Sequence, residues 1–105
     1  MYPTISVNVS CTAKRALEYA YKTLLSFGKP KDYFVKESVF TAFANIKYSF
    51  EYASCLVIIK SLSDSTCEIL ITASPTTSYQ QNAGWIVQFH SEFIKRFSDL
   101  FEQEG

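Results

Sequence analysis

Residues 4–10 alternate strictly between apolar and polar side chains, and this pattern restricts the possible folds of the chain more than any other feature. Ile5, Val7 and Val9 fall on one side of an extended backbone, and the hydroxyl and amide side chains between them fall on the other. Side chains of a β-strand alternate between two faces, so the pattern predicts a strand with one buried face. Such a strand needs partner strands and a covering layer to bury its apolar side.

Two segments have the three-to-four-residue spacing of apolar side chains that is typical of an amphipathic helix. The first follows the initial strand, with Ser10 or Thr12 as its N-cap and Gly28, supported by Pro30, as its stop. The second is expected to begin at Asn82. The apolar side of this second helix is formed by Ile86, Phe89, His90, Phe93, Phe97, Leu100 and Phe101.

The segment between the two helices is rich in aromatic and β-branched residues and lacks a helical period, which predicts strands. Four strands fit the pattern, at about 33–36, 39–52, 55–62 and 66–73, the second with an expected break near residues 44–45. One face of the second strand is expected to hold Ile46, Tyr48, Phe50 and Tyr52. The segment 55–62 is apolar on both faces, which is typical of a central strand.

The predicted fold class is α+β, with an antiparallel sheet in the order β-α-β-β-β-β-α and both helices packed on one face. A length of 105 residues is typical of one domain, so a single domain is expected over residues 1–105. Because a helix separates the first strand from the others, that strand must pair non-locally with one of them. The second face of the sheet must then be solvated, paired or covered.

Charge, cysteine content and motifs argue against several classes of function. The ten basic and ten acidic side chains cancel, so nucleic acid is not an expected partner. The three cysteines lack C-x-x-C spacing, which argues against a disulfide framework or a zinc site. No catalytic motif, metal-ligand set or phosphate loop occurs, so no cofactor is expected and a non-enzymatic function is favoured. The absence of a signal-peptide pattern and of a ~20-residue apolar stretch predicts no membrane span and a cytoplasmic location.

The order of elements resembles that of the TATA-box-binding-protein-like folds, an architectural group that includes the START-like, or helix-grip, lipid-transfer proteins. The resemblance covers nearly the whole chain as topology, without a diagnostic motif. Helix-grip domains usually have more strands and an additional short helix after the first strand. The resemblance implies a curved sheet that grips the last helix, with an apolar space between the two. The residues placed to line that space are Tyr48, Phe50, Tyr52, Trp85, Phe89, His90 and Phe93.

The same side chains have a second interpretation, as a solid core. Protein interiors are close-packed, and a domain of this size needs most of its large side chains for stability. His90, the only histidine, is similarly either a core imidazole or a lone catalytic base.

Three functional hypotheses follow. The first is a non-enzymatic domain that binds a small apolar or amphipathic ligand between the sheet and the last helix. The alternative is a structural or regulatory protein-interaction module that forms homo-oligomers through an exposed sheet face or edge, because segment 55–62 is apolar on both sides. The third is an enzyme that uses His90.

Overall fold

A computed structural model of the protein describes residues 4–48, 51–75 and 83–104. The elements in chain order are β1 (Thr4–Val9), α1 (Ala13–Leu25), β2 (Gly28–Lys36), β3 (Thr41–Tyr48), β4 (Glu51–Ser61), β5 (Cys67–Pro75) and α2 (Ala83–Glu104). A single turn of 3-10 helix, Glu37–Val39, joins β2 to β3. The predicted α+β class and its order of elements are confirmed.

The five strands form one antiparallel sheet with the order β1-β5-β4-β3-β2. Strands β2 to β5 follow one another as neighbours, whereas β1 pairs with β5, the last strand, with Val7 opposite Ile69. This is the non-local pairing that the isolated first strand requires. The helices cover one face of the sheet, which we call the inner face, and the opposite face is called the outer face.

The inner face is built mainly from small and aliphatic side chains of the three central strands. Those with at most 5% exposure are Ala42, Ala44, Ile46, Ala53, Cys55, Val57, Ile59, Cys67, Ile69, Ile71 and Ala73. Helix α1 approaches this face more closely than α2 does, because its contact positions include Ala16 and Ala20, which are fully buried. Helix α2 lies farther from the sheet, and phenylalanine rings fill the space between the two.

Helix α1 begins as predicted but ends differently. The Thr12 side chain accepts a hydrogen bond from the backbone N–H of Arg15 at 3.2 Å, which makes Thr12 the N-cap. The helix ends at Leu25, with Ser26 as its C-cap in a right-handed conformation. The expected stop at Gly28 is wrong, since Gly28 is the first residue of β2.

The strand predicted over 39–52 is wrong in its second half. Tyr48 and Glu51 are opposite each other in the β3–β4 register, so the chain has already reversed direction before residue 52. The sequence between them has no Gly, Asn, Asp or Pro to mark a turn, and its apolar alternation continues without a break. The reversal places Ile46 and Tyr52 on opposite faces of the sheet.

The second helix is confirmed from Ala83 onward, while its expected cap, Asn82, lies outside the described residues. Within the described ranges, neither helix combines the length and the apolar character that crossing a bilayer requires.

Candidate functional site

Four of the seven predicted ligand-binding residues meet in one cluster between β3 and α2. Trp85 and Phe89 are stacked, with ring centroids 5.6 Å apart, and Tyr48 meets both rings edge-on at 5.9 and 5.7 Å. Phe93 follows one helical turn later, 6.3 Å from Phe89. The indole Nε1 of Trp85 donates a hydrogen bond to the carbonyl of Tyr48 at 3.2 Å, which fixes the cluster to the sheet.

Phe27, just after α1, fills the space that these rings surround. Its ring lies 5.0 Å from that of Phe89 and is stacked on that of Phe93 at 6.4 Å. The guanidinium of Arg96 covers the other side of Phe27 at 4.1 Å, within the usual distance for a cation–π interaction. Phe89 and Phe93 are at most 1% exposed. We call this group, with Tyr48 and Trp85, the aromatic cluster, and it is packed ring against ring.

A fifth predicted residue, Tyr52, does not lie in the aromatic cluster. Tyr52 lies on the outer face, where the Nζ atoms of Lys31 and Lys47 are 5.7 and 5.6 Å from its ring centroid. Phe50 lies outside the described residues. The sequence pattern predicts Tyr52 on the same face as Tyr48, because its alternation continues from residue 39 to residue 52 as in one strand.

His90 is buried on α2 beside the aromatic cluster. It is 7% exposed, and its ring lies 6.0 Å from that of Phe89. Burial lowers the pKa of His90 below its usual value, so the neutral imidazole is favoured. Nε2 has no hydrogen-bond partner in the part of the chain that the structure describes.

An apolar cleft opens further along α2, between the C-terminal half of that helix and the sheet edge formed by β1 and β5. We call it the β1–α2 cleft. Its lining residues are Val7, Val9, Ile69, Ile71, Phe93, Ile94, Phe97, Ser98, Phe101 and Glu102. Of the predicted site residues that the structure describes, only Phe93 contributes to it.

The position of the β1–α2 cleft follows from the two helices. Helix α1 packs over the centre of the sheet. Of the two helices, α2 is the one that faces β1 at the edge, where Val7 and Val9 stay half-buried. Tyr19 of α1 contacts the rings of Phe97 and Phe101 edge-on, at 6.3 and 5.8 Å. Because Tyr19 is itself buried, these two rings form a fixed wall and do not fold into the cleft.

The cleft has a volume of about 140 Å³. A cavity of roughly 150 Å³ with aliphatic and aromatic walls takes up benzene, so the space suits one ring or a short stretch of alkyl chain. Sites that enclose a whole drug-sized ligand are larger, at about 300–1,000 Å³. The β1–α2 cleft is also open on one side. It can therefore enclose the apolar end of a molecule while the rest remains outside.

A shallow polar hollow adjoins the open side of the cleft. The two share Phe101 and Glu102, and the hollow continues over the start of α1. Its remaining lining residues are Ser10, Cys11, Thr12, Arg15, Asp64 and Ser65. One guanidinium thus faces two carboxylates, together with several hydroxyl groups.

The cysteines do not form a reactive centre. All three are free and buried, and burial raises the pKa of Cys55 to about 12 and that of Cys67 to about 11. The pKa of Cys11 is raised for the same reason. The thiolate is the reactive form, so these raised pKa values leave little reactive thiolate at neutral pH. Among the residues that the structure describes, no group of three His, Cys, Asp or Glu side chains is arranged to hold a metal ion.

The fold and the cleft together define the class of protein: an α+β domain whose last helix leaves an apolar cleft at one edge of an antiparallel sheet. The chain matches no protein-family model and no curated protein. Among solved structures, it is similar to a conserved protein from Geobacillus kaustophilus, with a TM-score of 0.55 over 95% of this chain and 94% of that one. The two sequences are 10% identical, so the similarity is one of fold alone.

Proposed function

We propose that this domain is a non-enzymatic binding protein that takes the apolar end of a small amphipathic molecule in the β1–α2 cleft. The observation that carries the proposal is the half-open cavity, apolar on the side of the sheet and lined by aromatic rings on the side of α2. Small-molecule sites in proteins are usually concave, mostly apolar and few in number, and this cleft has that character.

The polar hollow at the open side supports an amphipathic ligand over a purely apolar one. A molecule whose alkyl or aryl end lies against Phe97 would place its other end near Ser98, Glu102 and the hydroxyl groups of the hollow. Because Asp64 and Glu102 outnumber Arg15 there, a free carboxylate at that end is disfavoured. An uncharged hydrogen-bonding head group, such as an alcohol, fits the hollow better.

The size of the cleft sets the expected affinity. Burying about five methylene groups at ~0.8 kcal/mol each contributes ~4 kcal/mol, which corresponds to a Kd of about 1 mM. Contacts of the head group can increase this affinity, and the entropic cost of association lowers it. The affinity for simple probes is therefore expected in the millimolar range.

The resemblance to helix-grip proteins belongs to this proposal. It is supported by the order of elements and by a last helix that packs across the sheet. A cytoplasmic location also belongs to it, since free, buried thiols suit a reducing compartment. The alternative function, self-association, would use the outer face of the sheet. Ligand binding in the cleft and self-association would therefore not compete for the same residues.

A thermal-unfolding titration with 1-hexanol and hexanoate tests the proposal. We expect 1-hexanol at several times its Kd to raise the Tm by several degrees, and hexanoate to have a smaller effect. Trp85 lies twelve residues, or about 18 Å along α2, from Phe97. Its fluorescence should therefore change little when the cleft is occupied, whereas a ligand within the aromatic cluster would alter it strongly.

Val7→Phe tests whether the ligand binds in the β1–α2 cleft, because the added ring fills the cleft from β1. Val87→Phe makes the same change on α2 at a side chain that is 62% exposed. We expect Val7→Phe to abolish the effect of 1-hexanol and Val87→Phe to preserve it. An unchanged Tm with both probes, or equal binding by the two variants, contradicts the proposal.

A further inference from the structure

The outer face of the sheet presents an apolar centre to solvent. Phe34, Phe43 and Leu56 are opposite one another across β2, β3 and β4, and their row continues to Thr72 of β5. One step along the strands, Ile58 is opposite Leu70. Ile58 is 38% exposed, and the other four apolar side chains are partly exposed. No element in the described ranges of the chain lies over them.

Polar and charged side chains surround this apolar centre unevenly. Lys31 and Lys36 of β2 and Lys47 of β3 lie on one side, with Lys36 placed over the ring of Phe34 at 5.3 Å. Asp32 lies among these lysines and accepts a hydrogen bond from Asn45. On the other side, Glu68 of β5 accepts a hydrogen bond from the Ser6 hydroxyl and lies opposite Lys60 of β4. Lys36 and Glu68 are three strand spacings apart, about 14 Å, so they do not pair within one chain.

We propose that the outer face is the interface between two copies of this chain, packed sheet on sheet around a two-fold axis. Two antiparallel sheets commonly pack face to face at about 10 Å, with the side chains of their facing surfaces interdigitated. A second copy supplies an apolar centre that is identical in extent, as an isologous interface requires.

The distribution of charge favours a second copy over an unrelated partner. A two-fold axis that is parallel to the strands and lies between β3 and β4 places β2 of one copy over β5 of the other. Lys36 then lies near the partner's Glu68, and by symmetry the same contact forms twice. Each Glu68 is thereby placed between Lys60, its opposite residue on β4, and a lysine of the other chain.

The dimensions of the face agree with those of a stable dimer. Five strands at ~4.8 Å and the eight residues of β3 at ~3.3 Å give a projected area on the order of 500 Å². Because the side chains project from the sheet, the accessible surface area of the face is larger than its projected area and approaches the ~800 Å² per partner of a standard interface. The face is therefore large enough to be buried as one interface.

Sedimentation velocity over a wide range of protein concentration tests this inference with the wild-type chain. We expect a reversible monomer–dimer equilibrium. Ile58→Lys places a charge at the centre of the interface in both copies, and we expect it to raise the dimer Kd by on the order of a hundredfold or more. Val87→Lys, which adds the same charge on the outer side of α2, should leave the Kd unchanged.

Lys36→Glu provides a second test that leaves the core untouched, because Lys36 is exposed. It opposes the partner's Glu68 with a like charge, and we expect the Kd to rise several-fold at low salt and less at high salt. Circular dichroism verifies that each variant is folded. A wild-type chain that stays monomeric at every concentration, or an Ile58→Lys variant that dimerises like the wild type, overturns the inference. A monomer that instead binds a single-stranded oligonucleotide through this face overturns it as well.

Discussion

Replacing Phe89 with alanine is expected to destabilise the domain by about 4 kcal/mol. Phe89 is fully buried, and its ring contacts Phe27, Tyr48 and Trp85 at centroid distances of 5.0, 5.7 and 5.6 Å. Phe→Ala substitutions in cores cost about 3–5 kcal/mol, and the higher values belong to sites that cannot relax around the cavity. The neighbouring rings come from three separate segments and are held by the Trp85 hydrogen bond, so little relaxation is expected here.

This loss is a large share of the total stability. A chain of 105 residues is expected to have a free energy of unfolding of roughly 5–15 kcal/mol. Urea unfolding followed by circular dichroism measures the difference. With an m-value of about 2 kcal/mol/M, the midpoint should fall by about 2 M.

Phe101→Ala is the matched control, since Phe101 is a partly exposed ring at the edge of the β1–α2 cleft. We expect it to cost about 1–2 kcal/mol, because less of its surface is removed from water. A Phe89→Ala variant that loses under about 1 kcal/mol, or no more than Phe101→Ala, would refute the close-packed aromatic cluster. That result would point instead to an open space at the position that the sequence first suggested.

Three further predictions concern single groups. Burial lowers the pKa of His90 below the 6.5 of an ordinary histidine, so the unfolded chain binds the proton more readily. Stability should consequently fall as the pH drops through about 6.5, and a His90→Leu variant with the same pH dependence would contradict this origin. A thiol-specific disulfide reagent at about pH 8 should leave the native chain unmodified, because all three cysteines are buried and burial raises their pKa values. In denaturant the same reagent should modify all three. Rapid reaction with the native chain would show instead that the thiols are accessible. Thr12→Ala should lower the free energy of unfolding by ~1 kcal/mol, as measured with urea, and Thr12→Ser should lower it much less, because serine keeps the capping hydroxyl. Equal losses in the two variants would show that the capping hydrogen bond is not the cause.

The sequence predicted those elements whose local pattern agrees with their environment. The alternation of residues 4–10 and the apolar spacing from Ile86 to Phe101 each fit a single secondary structure, and both elements occur as expected. Local periodicity was sufficient for these features.

The error over residues 39–52 arose where no local signal exists. The reversal between Tyr48 and Glu51 has no turn residue in its sequence, and the uninterrupted alternation through it reversed the face assigned to Tyr52. Short apolar strands of this kind are ambiguous until their pairing is known.

The β1–α2 cleft could not be located from the sequence either, because it depends on distances between elements. Periodicity assigned Val7, Phe97 and Phe101 to the core side correctly. It could not show that small residues such as Ala16 let α1 approach the centre of the sheet while larger rings hold α2 away from its edge. Alanines on one helix and phenylalanines on the other are the signal that could have suggested such a gap.

A methyl-resolved NMR titration with 1-hexanol shows where the bound apolar group lies. We expect the methyl signals of Val7, Ile71 and Ile94, which line the β1–α2 cleft, to shift together and to saturate in the millimolar range. The methyl groups of Ile46, which lies under the centre of the sheet's covered face, should not shift. Shifts confined to residues beside the aromatic cluster, or no saturable shift at any methyl group, would contradict the claim that this cleft is the binding site.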